Sequence, residues 1–330
     1  MQKIGIIGAG AWGTALAQSM ASANREVVMW AREPEVVTAI NEQHENTPFL
    51  PGIKLHEAIT ATGSLSGMKS CSTLLLVTPA QHVRASLTAL KAELAEGKPV
   101  VICAKGIEIE TGHLMTQVAA EVAPQATIAI LSGPTFASEI ARGLPSAVTI
   151  AAKDKDVAQE IRDQLVSKNL RPYIIDDMIG TQIGGAVKNV IAVACGILYG
   201  RKMGESAKAA LMTRGLAEMA RLTSAMGGKR DTLMGMCGVG DLVLTCSSMQ
   251  SRNFSLGVAM GEGRSLAEIM GERNSVAEGV HTAKAMMVLA KKHAVEMPIS
   301  EAVFRCVSGQ ATVDEGINDL LDRPLRAEGT

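Results

Sequence analysis

The segment Gly8–Gly13, which reads GAGAWG, leaves this 330-residue chain few choices of fold. An apolar run at Lys3–Ile7 precedes it, and a helical pattern at Thr14–Ala23 and a second apolar run at Glu26–Trp30 follow. A strand, a G-x-G-x-x-G turn, a helix and a second strand form the unit that binds dinucleotides, because the glycines let the backbone approach a pyrophosphate. The first N–H groups of the helix face its negative charge. The pattern predicts a nucleotide-binding domain, and a glycine turn without a ligand is the alternative.

The residues after the second strand indicate which cofactor is bound. An NAD site has an acidic residue about 20 positions beyond the glycines, where it binds the ribose hydroxyls. Here Arg32 and Glu33 lie near that position. Arg32 can pair with the 2′-phosphate of NADP, whereas Glu33 can serve NAD. The sequence favours NADP and leaves NAD possible, and an ordinary surface charge is the alternative interpretation of Arg32.

Further apolar runs alternate with helical patterns through the first half of the chain. These predicted strands are Thr73–Val77, Pro99–Ala104, Thr127–Leu131 and Ser146–Ala151. The alternation predicts an α/β fold with a doubly wound, mostly parallel sheet. The segment from His44 to Gly67 is rich in proline and glycine and is expected to be an irregular excursion from this sheet.

Two groups follow directly after predicted strands. Lys105 comes after one strand, and the turn from Gly133 to Thr135 comes after the next. Ligands of such sheets bind beyond the carboxyl ends of the strands, so these residues are candidates for the site. For Lys105, a solvated loop charge is the alternative.

Strand patterns fade after Thr181, and helical periodicity continues to the C-terminus. We therefore expect a nucleotide-binding domain at residues 1–185 and a helical, substrate-binding domain at residues 186–330.

One lysine lies in the middle of a long apolar pattern at Ile183–Gly200, which predicts a buried helix of about five turns. Ionised lysine is rarely buried without a partner, so Lys188 is a candidate catalytic group. Gly184 and Gly185 lie one turn away and are expected to leave space for a substrate beside the amine. A lysine that extends out of a partly exposed helix is the alternative.

Two polar groups of the helical half complete the candidate site. Asp241 follows a glycine-rich segment, where it is either a functional carboxylate or the N-cap of the next helix. Ser251, Arg252 and Asn253 open a helix and form a cradle for an anion, with a simple capping cluster as the alternative.

The overall composition excludes several classes of function. The net charge is −1 and aromatic residues make up 2%, which argues against nucleic acid as a partner. The six cysteines form no C-x-x-C pair, so neither a metal site nor a redox dithiol is expected. We find no pattern of a signal peptide or of a membrane-spanning helix, and we expect a cytoplasmic protein that does not insert into membranes.

Eight segments, in order and widely spaced, closely resemble those of the bacterial-type NAD(P)-dependent glycerol-3-phosphate dehydrogenases: GAGAWGTALA, VTPAQHVR, CAKGIE, LSGPTFASEIARGLPSAV, GGAVKNVIAVACGI, GVGDLVLTC, SRNFSLG and EGVHTA. The resemblance covers nearly the whole chain. It implies a Rossmann domain followed by a helical domain, and reversible reduction of dihydroxyacetone phosphate to sn-glycerol 3-phosphate for phospholipid synthesis. It also implies a homodimer.

The same resemblance assigns roles to individual residues. It makes Lys188 the proton donor and acceptor, and it implies substrate contacts at Lys105, Gly133, Thr135, Lys188, Asp241, Ser251, Arg252 and Asn253. Together with the glycine motif, it implies cofactor contacts at Gly8, Gly10, Ala11, Trp12, Gly13, Arg32, Lys105, Ala137, Arg252, Val276 and Glu278. Ala11 departs from the serine that many relatives carry, which removes a hydroxyl contact to the pyrophosphate.

A mechanism follows from these roles. Burial and the nearby ammonium of Lys105 would both lower the pKa of Lys188, and Asp241 would oppose them. Asn189 and Thr245 are expected to bond near the reacting oxygens or to orient Lys188. A related two-domain dehydrogenase of a hydroxy acid or an acyl-CoA is a second interpretation, and a non-catalytic NADP-binding sensor is a third.

Overall fold

A computed structural model describes residues 3–272 and 277–324 and contains one eight-stranded sheet. Its strands are β1 (Lys3–Ile7), β2 (Glu26–Trp30), β3 (Ile59–Thr62), β4 (Thr73–Leu76), β5 (Pro99–Ile102), β6 (Thr127–Ser132), β7 (Ser146–Ala152) and β8 (Leu170–Ile175). They lie in the order β3-β2-β1-β4-β5-β6-β7-β8. Of the described strand pairs, β6 and β7 are antiparallel and the others are parallel. The predicted mostly parallel sheet is confirmed.

Six helices, which follow β1, β2, β4, β5, β6 and β7, cover this sheet. They are α1 (Ala11–Ala21), α2 (Pro34–Thr38), α3 (Val83–Leu90), α4 (Met115–Val122), α5 (Ala137–Ala141) and α6 (Lys155–Leu165). The side chains of β1 point alternately to two apolar clusters: Ile4 and Ile6 lie in one and Ile7 in the other. Because both faces of a parallel sheet are buried, its strands are almost continuously apolar, which is why the sequence identified most of them.

The second half of the described chain is helical. Its helices are α7 (Met178–Gly200), α8 (Glu205–Ala225), α9 (Asp241–Cys246), α10 (Arg252–Gly261), α11 (Leu266–Gly271), α12 (Glu278–Lys292), α13 (Pro298–Val307) and α14 (Val313–Leu321). Short segments of 3₁₀ or π helix occur at Ala39–Gln43, Leu65–Ser70, Ala80–His82, Lys91–Glu93, Arg230–Met234 and Met236–Gly240.

Two strands were not expected from the sequence. The segment expected to be an irregular excursion from the sheet contains β3, which pairs in parallel with β2, so the expectation is wrong for these four residues, whereas residues 44–58 form neither helix nor strand. This strand has four residues, ITAT, and half of them are polar, so its pattern is too short to stand out. The other is β8, which contains Pro172 and, among the strands of the described residues, pairs with β7 alone. A proline is tolerated at a sheet edge because the missing N–H need not pair.

The chain divides into two compact units. The first comprises the chain up to Ala104 and the segment Met115–Met178, and the second comprises Lys105–Leu114 and the chain from Ile179 onward. The short segment that begins at Lys105 therefore belongs to the helical unit, although it follows directly after β5.

The long helix α7 forms the centre of the helical unit. It is long and apolar enough to cross a bilayer, but 89% of its most apolar window is buried inside the protein, as in a core helix. It contacts α10 at backbone distance: a Cβ added at Gly196 would lie 2.1 Å from the Phe254 carbonyl oxygen, and one at Gly257 would lie 2.0 Å from that of Val193. This contact fixes the N-terminus of α10 relative to the middle of α7.

A buried carboxylate joins α8 to the start of α13. Glu218 is 1% exposed and accepts hydrogen bonds from the Ile299 N–H at 2.5 Å, the Ser300 N–H at 3.2 Å and the Ser300 hydroxyl at 3.0 Å. It thereby satisfies two of the free N–H groups at the N-terminus of α13. Burial raises the pKa of Glu218 to about 7, against the opposing effect of these hydrogen bonds.

This raised pKa predicts a pH dependence of stability. Since the native state holds the proton of Glu218 more tightly than the unfolded state does, its contribution is complete below the ordinary glutamate pKa and disappears as the pH rises through about 7. Between pH 4.5 and 7, Glu218 should therefore lower the unfolding free energy of the unmodified protein by at most about 3 kcal/mol. The Glu218→Gln variant should not show this decrease, because glutamine does not titrate. Urea unfolding at several pH values measures it, with the exposed Glu301→Gln as control. An unchanged pH dependence in Glu218→Gln would contradict the assignment.

Candidate active site

One buried carboxylate binds two lysines in the helical unit. The Lys188 ammonium donates to Asp241 Oδ1 at 2.6 Å, and the Lys105 ammonium donates to Asp241 Oδ2 at 2.7 Å. The hydroxyl of Thr245 accepts a second hydrogen bond from Lys188 at 2.7 Å. Asp241 is 1% exposed and Lys188 is 6% exposed. The structure thus brings together four residues that the sequence analysis assigned to the site.

Three segments of the chain hold this cluster. Lys188 lies in the middle of α7, and Asp241 and Thr245 lie one turn apart on α9, so both face the same amine. Lys105 follows β5. The helix α9 begins directly after a π-helical turn that packs on α7, where a Cβ at Gly184 would lie 2.4 Å from the Cys237 carbonyl oxygen. Gly184 is therefore needed for this backbone contact, and the expectation that it leaves space for a substrate is wrong.

The alternatives for two of these residues do not fit the structure. Lys188 does not extend to solvent, because its amine is buried and bonded on both Asp241 and Thr245. The N-cap of α9 is Gly240, and Asp241 is the first helical residue, with each carboxylate oxygen bound to a lysine.

The electrostatics of the cluster make Lys188 an easily titrated amine. Burial and, to a smaller extent, the Lys105 ammonium lower the pKa of Lys188 while the Asp241 carboxylate raises it, and the net effect is a pKa of about 8. For Asp241, burial raises the pKa, but the two ammonium groups outweigh this effect and hold it below the ordinary value. The cluster carries two positive charges and one negative charge when both lysines are protonated. It can therefore donate a proton near neutral pH and stabilise a developing alkoxide.

The predicted anion cradle has buried and exposed members. Ser251 is the N-cap of α10, and its hydroxyl accepts from the Phe254 N–H at 3.2 Å. The next residue, Arg252, is exposed. Asn253 is 7% exposed and donates to Asn189 at 2.9 Å. The cradle therefore presents one exposed guanidinium at the N-terminus of a ten-residue helix.

Asn189 takes a different place from the expected one. Its amide nitrogen donates to the Lys105 carbonyl at 3.2 Å and to the Gly185 carbonyl at 3.4 Å, and its oxygen accepts from Asn253. Asn189 thus binds the backbone of the other lysine as well as Gly185 and Asn253, whereas Thr245 does contact Lys188 as expected. The sequence analysis did not identify Gly279, whose N–H donates to Asn253 Oδ1 at 2.9 Å. Its place as the second residue of α12 could have indicated it, because a glycine there is a signal of close backbone contact.

The predicted cofactor residues of the first unit lie at the carboxyl ends of its strands. Gly10 is the N-cap of α1, whose first two residues are Ala11 and Trp12. A Cβ at Gly13 would lie 2.0 Å from the Gly8 carbonyl oxygen, so this position requires glycine for the loop to pack on the helix. The loop therefore has the tight turn and the open helix N-terminus that a pyrophosphate needs, and it fits a dinucleotide.

The remaining candidates are more scattered. Arg32 is exposed and pairs with Glu33 at 2.8 Å. Thr135 donates to the Gly133 carbonyl at 3.4 Å, and Ala137 is the first residue of α5. Glu278 is the first residue of α12, and Val276 lies outside the described residues. Within residues 3–272 and 277–324 we find no group of three or more histidine, cysteine, aspartate or glutamate side chains that could hold a metal ion.

Comparison with known proteins gives matches over nearly the whole chain. The family models for the N-terminus and the C-terminus of NAD-dependent glycerol-3-phosphate dehydrogenase match residues 3–158 and 177–318. A glycerol-3-phosphate dehydrogenase [NAD(P)+] of Parvibaculum lavamentivorans is 58% identical, over 99% of this chain and 98% of its own length. That of Maricaulis maris is 52% identical over the same shares. The crystal structure of glycerol-3-phosphate dehydrogenase from Coxiella burnetii has a TM-score of 0.93 and 36% identity, and covers 98% of this chain and 99% of its own.

Proposed function

Because the chain belongs to the NAD-dependent glycerol-3-phosphate dehydrogenase family, we propose that it interconverts dihydroxyacetone phosphate and sn-glycerol 3-phosphate with NAD(P). The product supplies the glycerol backbone of phospholipids. The observation that carries this proposal is the buried cluster of Lys188, Asp241 and Lys105, which combines an amine of lowered pKa with a fixed positive charge. A protein that only senses NADP has no need of such a cluster.

The chemistry requires one hydride and one proton. A nicotinamide cofactor held at the glycine loop Gly8–Gly13 would supply the hydride. Lys188 donates its proton to the oxygen that becomes the hydroxyl group, and in the reverse direction its neutral amine accepts that proton. Lys105 stabilises the negative charge that develops on the same oxygen. Asp241 holds both ammonium groups, and Thr245 fixes the direction of the Lys188 amine.

The non-reacting phosphate of the substrate is assigned to the start of α10. The exposed Arg252 guanidinium and the helix N-terminus that follows Ser251 both favour an anion. Binding energy from this distant group can hold the carbonyl in a reactive position.

One assay tests the function. NADPH absorbance should fall when dihydroxyacetone phosphate is added, and it should stay constant with a 2-keto acid or an acyl-CoA. Turnover of either control at a comparable kcat/KM would favour the related dehydrogenase. Binding of NADPH without turnover of any of the three would favour the sensor.

The lowered pKa of Lys188 predicts opposite pH profiles for the two directions. Reduction needs the ammonium, so its kcat/KM should be constant below pH 8 and fall about tenfold per unit above it. Oxidation needs the neutral amine, so its kcat/KM should rise with pH and level off above about pH 8. Profiles recorded in both directions measure the apparent pKa of the coupled cluster. A reduction rate that stays constant up to about pH 10 would remove Lys188 from the proton transfer.

The cofactor preference is assigned to Arg32, and NADP is the favoured cofactor. The Arg32 guanidinium is exposed, and within the described residues its ion-pair partner is the neighbouring Glu33. A 2′-phosphate can therefore compete with Glu33 for the guanidinium. The Arg32→Ala variant should lower the ratio of kcat/KM for NADPH to that for NADH by about tenfold. Arg162→Ala is the control, because Arg162 is a half-exposed arginine that also pairs with the acid that follows it. An unchanged ratio in Arg32→Ala would mean that the side chain is an ordinary surface charge.

We also propose a cytoplasmic homodimer. The six cysteines, which form no disulfide in the structure, suit a reducing compartment. The dimer rests on the family resemblance, and light scattering of the purified protein tests it.

A further inference from the structure

One asparagine in the connection between β2 and β3 is fully buried. Asn46 is 0% exposed, although the three residues that follow it are exposed. Its amide nitrogen donates to the Ala9 carbonyl at 2.7 Å and to the Thr14 hydroxyl at 2.7 Å. Ala9 lies inside the glycine loop, and Thr14 is the fourth residue of α1. Both N–H groups of the Asn46 amide are therefore engaged where the glycine loop becomes the helix.

The orientation of the Asn46 amide is fixed by this contact. The Ala9 carbonyl can only accept, so the Asn46 atom that faces it must be the nitrogen. The amide oxygen is also buried, and within residues 3–272 and 277–324 it has no hydrogen-bond partner. A buried unpaired acceptor is unfavourable, and an apolar side chain would avoid it. The two donated hydrogen bonds therefore account for an asparagine at this position.

The hydrogen bond to Ala9 also sets the direction of the next N–H group. The peptide bond is planar and trans, so the Ala9 carbonyl and the Gly10 N–H point in opposite directions. Ala9 is buried and Gly10 is half-buried, and a Cβ added at Gly10 would meet no other described residue within 4 Å. Because the carbonyl turns inward to Asn46, the Gly10 N–H turns toward the open side of the loop, where α1 begins.

The same connection is held on α1 at a second point. Gln18 lies one turn after Thr14 on the same face of α1. It donates to the Lys54 carbonyl at 3.3 Å and accepts from the His56 N–H at 2.8 Å. Both of these partners lie outside the glycine loop. A variant of Gln18 therefore separates the attachment of the connection from the contact with the loop.

We propose that Asn46 is a positioning residue for the binding of the dinucleotide. It is fully buried and its N–H groups are engaged, so it acts through the Ala9 carbonyl and not by touching the ligand. The N–H groups of such a loop bind the pyrophosphate, which NADP and NAD share. Asn46 should therefore strengthen the binding of both cofactors equally, whereas Arg32 discriminates between them. This inference rests on the proposed use of NAD(P) by the protein.

Ligand binding to Asn46→Leu tests the inference. Leucine has a similar volume but donates no hydrogen bond. The Kd values for NADPH and NADH, measured by quenching of tryptophan fluorescence, should both rise about tenfold, the effect of weakening one hydrogen bond to a charged group. The Kd for adenosine 2′-phosphate, which has no pyrophosphate, should change by less than about twofold when it is measured by calorimetry. A structural defect would weaken all three ligands.

A second variant and a control complete the experiment. Asn46→Asp keeps the shape of the side chain, but its carboxylate cannot donate, so it should weaken NADPH and NADH at least as much. Gln18→Leu releases the connection at its other point and should leave all three Kd values within about twofold. Every variant is assayed well below its unfolding temperature.

Four outcomes would contradict these expectations. Unchanged Kd values for NADPH and NADH in both Asn46 variants would overturn the inference. An equal rise for adenosine 2′-phosphate, or the same rise in Gln18→Leu, would assign the effect to the attachment of the connection. A rise for NADPH that spares NADH would place Asn46 with the 2′-phosphate site and also overturn it. If the unmodified protein binds neither NADPH nor NADH, the proposed function itself fails.

Discussion

Lys188→Met should lower kcat for the reduction of dihydroxyacetone phosphate by at least about a hundredfold, the lower limit for a positioned acid–base group. Methionine fills a similar volume but carries no proton to donate, and it leaves Asp241 paired with Lys105. The binding of NADPH and the far-UV circular dichroism spectrum should be retained, because the glycine loop belongs to the other compact unit. The measurement is kcat by NADPH absorbance at saturating substrate.

The control for this variant is Lys284→Met, which removes an exposed lysine from α12 of the same unit and should leave kcat unchanged. The pH profile supplies a second criterion. Residual activity in Lys188→Met should lose the fall near pH 8 that the titration of the amine imposes on the unmodified enzyme. A folded Lys188→Met protein with turnover close to that of the unmodified enzyme would exclude Lys188 as the proton donor.

Asp241→Asn should also lower kcat by about a hundredfold near neutral pH, for an electrostatic reason. The Asp241 carboxylate raises the pKa of Lys188. It also offsets the positive charge of the Lys188 and Lys105 ammonium groups, each of which donates to one of its two oxygens. Without it, repulsion by Lys105 lowers the pKa of Lys188 below 8, and less of the amine carries the proton needed for reduction. The fall in the reduction profile should therefore move to lower pH, and the defect should be smaller at about pH 6 than at about pH 8.

This shift separates an electrostatic role from a structural one. Breaking a buried ion pair costs about 3–5 kcal/mol of stability, so the variant is assayed well below its unfolding temperature. Asp314→Asn, which removes an exposed partner of Arg201, is the control and should change neither kcat nor the profile. A loss of activity that is equal at every pH would mean that Asp241 supports the fold of the site without tuning the pKa of Lys188.

Local patterns were enough to identify the nucleotide-binding half. The glycine motif and the buried strands β1, β2, β4, β5, β6 and β7 are recognisable because each is a short apolar run beside a turn signal. The edge strands β3 and β8 were not recognised, because an edge strand is half exposed or interrupted by proline and owes its place to pairing with a neighbour.

The sequence could indicate which side chains carry the chemistry but not which of them meet. Thr245 follows Asp241 by one helical turn, so their common face was predictable from spacing. Asn189 adjoins Lys188 in sequence, yet its amide binds the backbone of Lys105, because successive residues of a helix point in different directions.

The sequence alone determined the alternation of strands and helices, the turn that suits a pyrophosphate, and an apolar helix with one amine in its middle. Whether that amine extends to solvent or stays buried was decided only by the tertiary structure. Gly184 brings the turn before α9 against α7, and that contact places Asp241 and Thr245 on Lys188. The physical reason is that burying an ammonium is favourable only when its partners are held at hydrogen-bonding distance, and these partners come from residues more than fifty positions away.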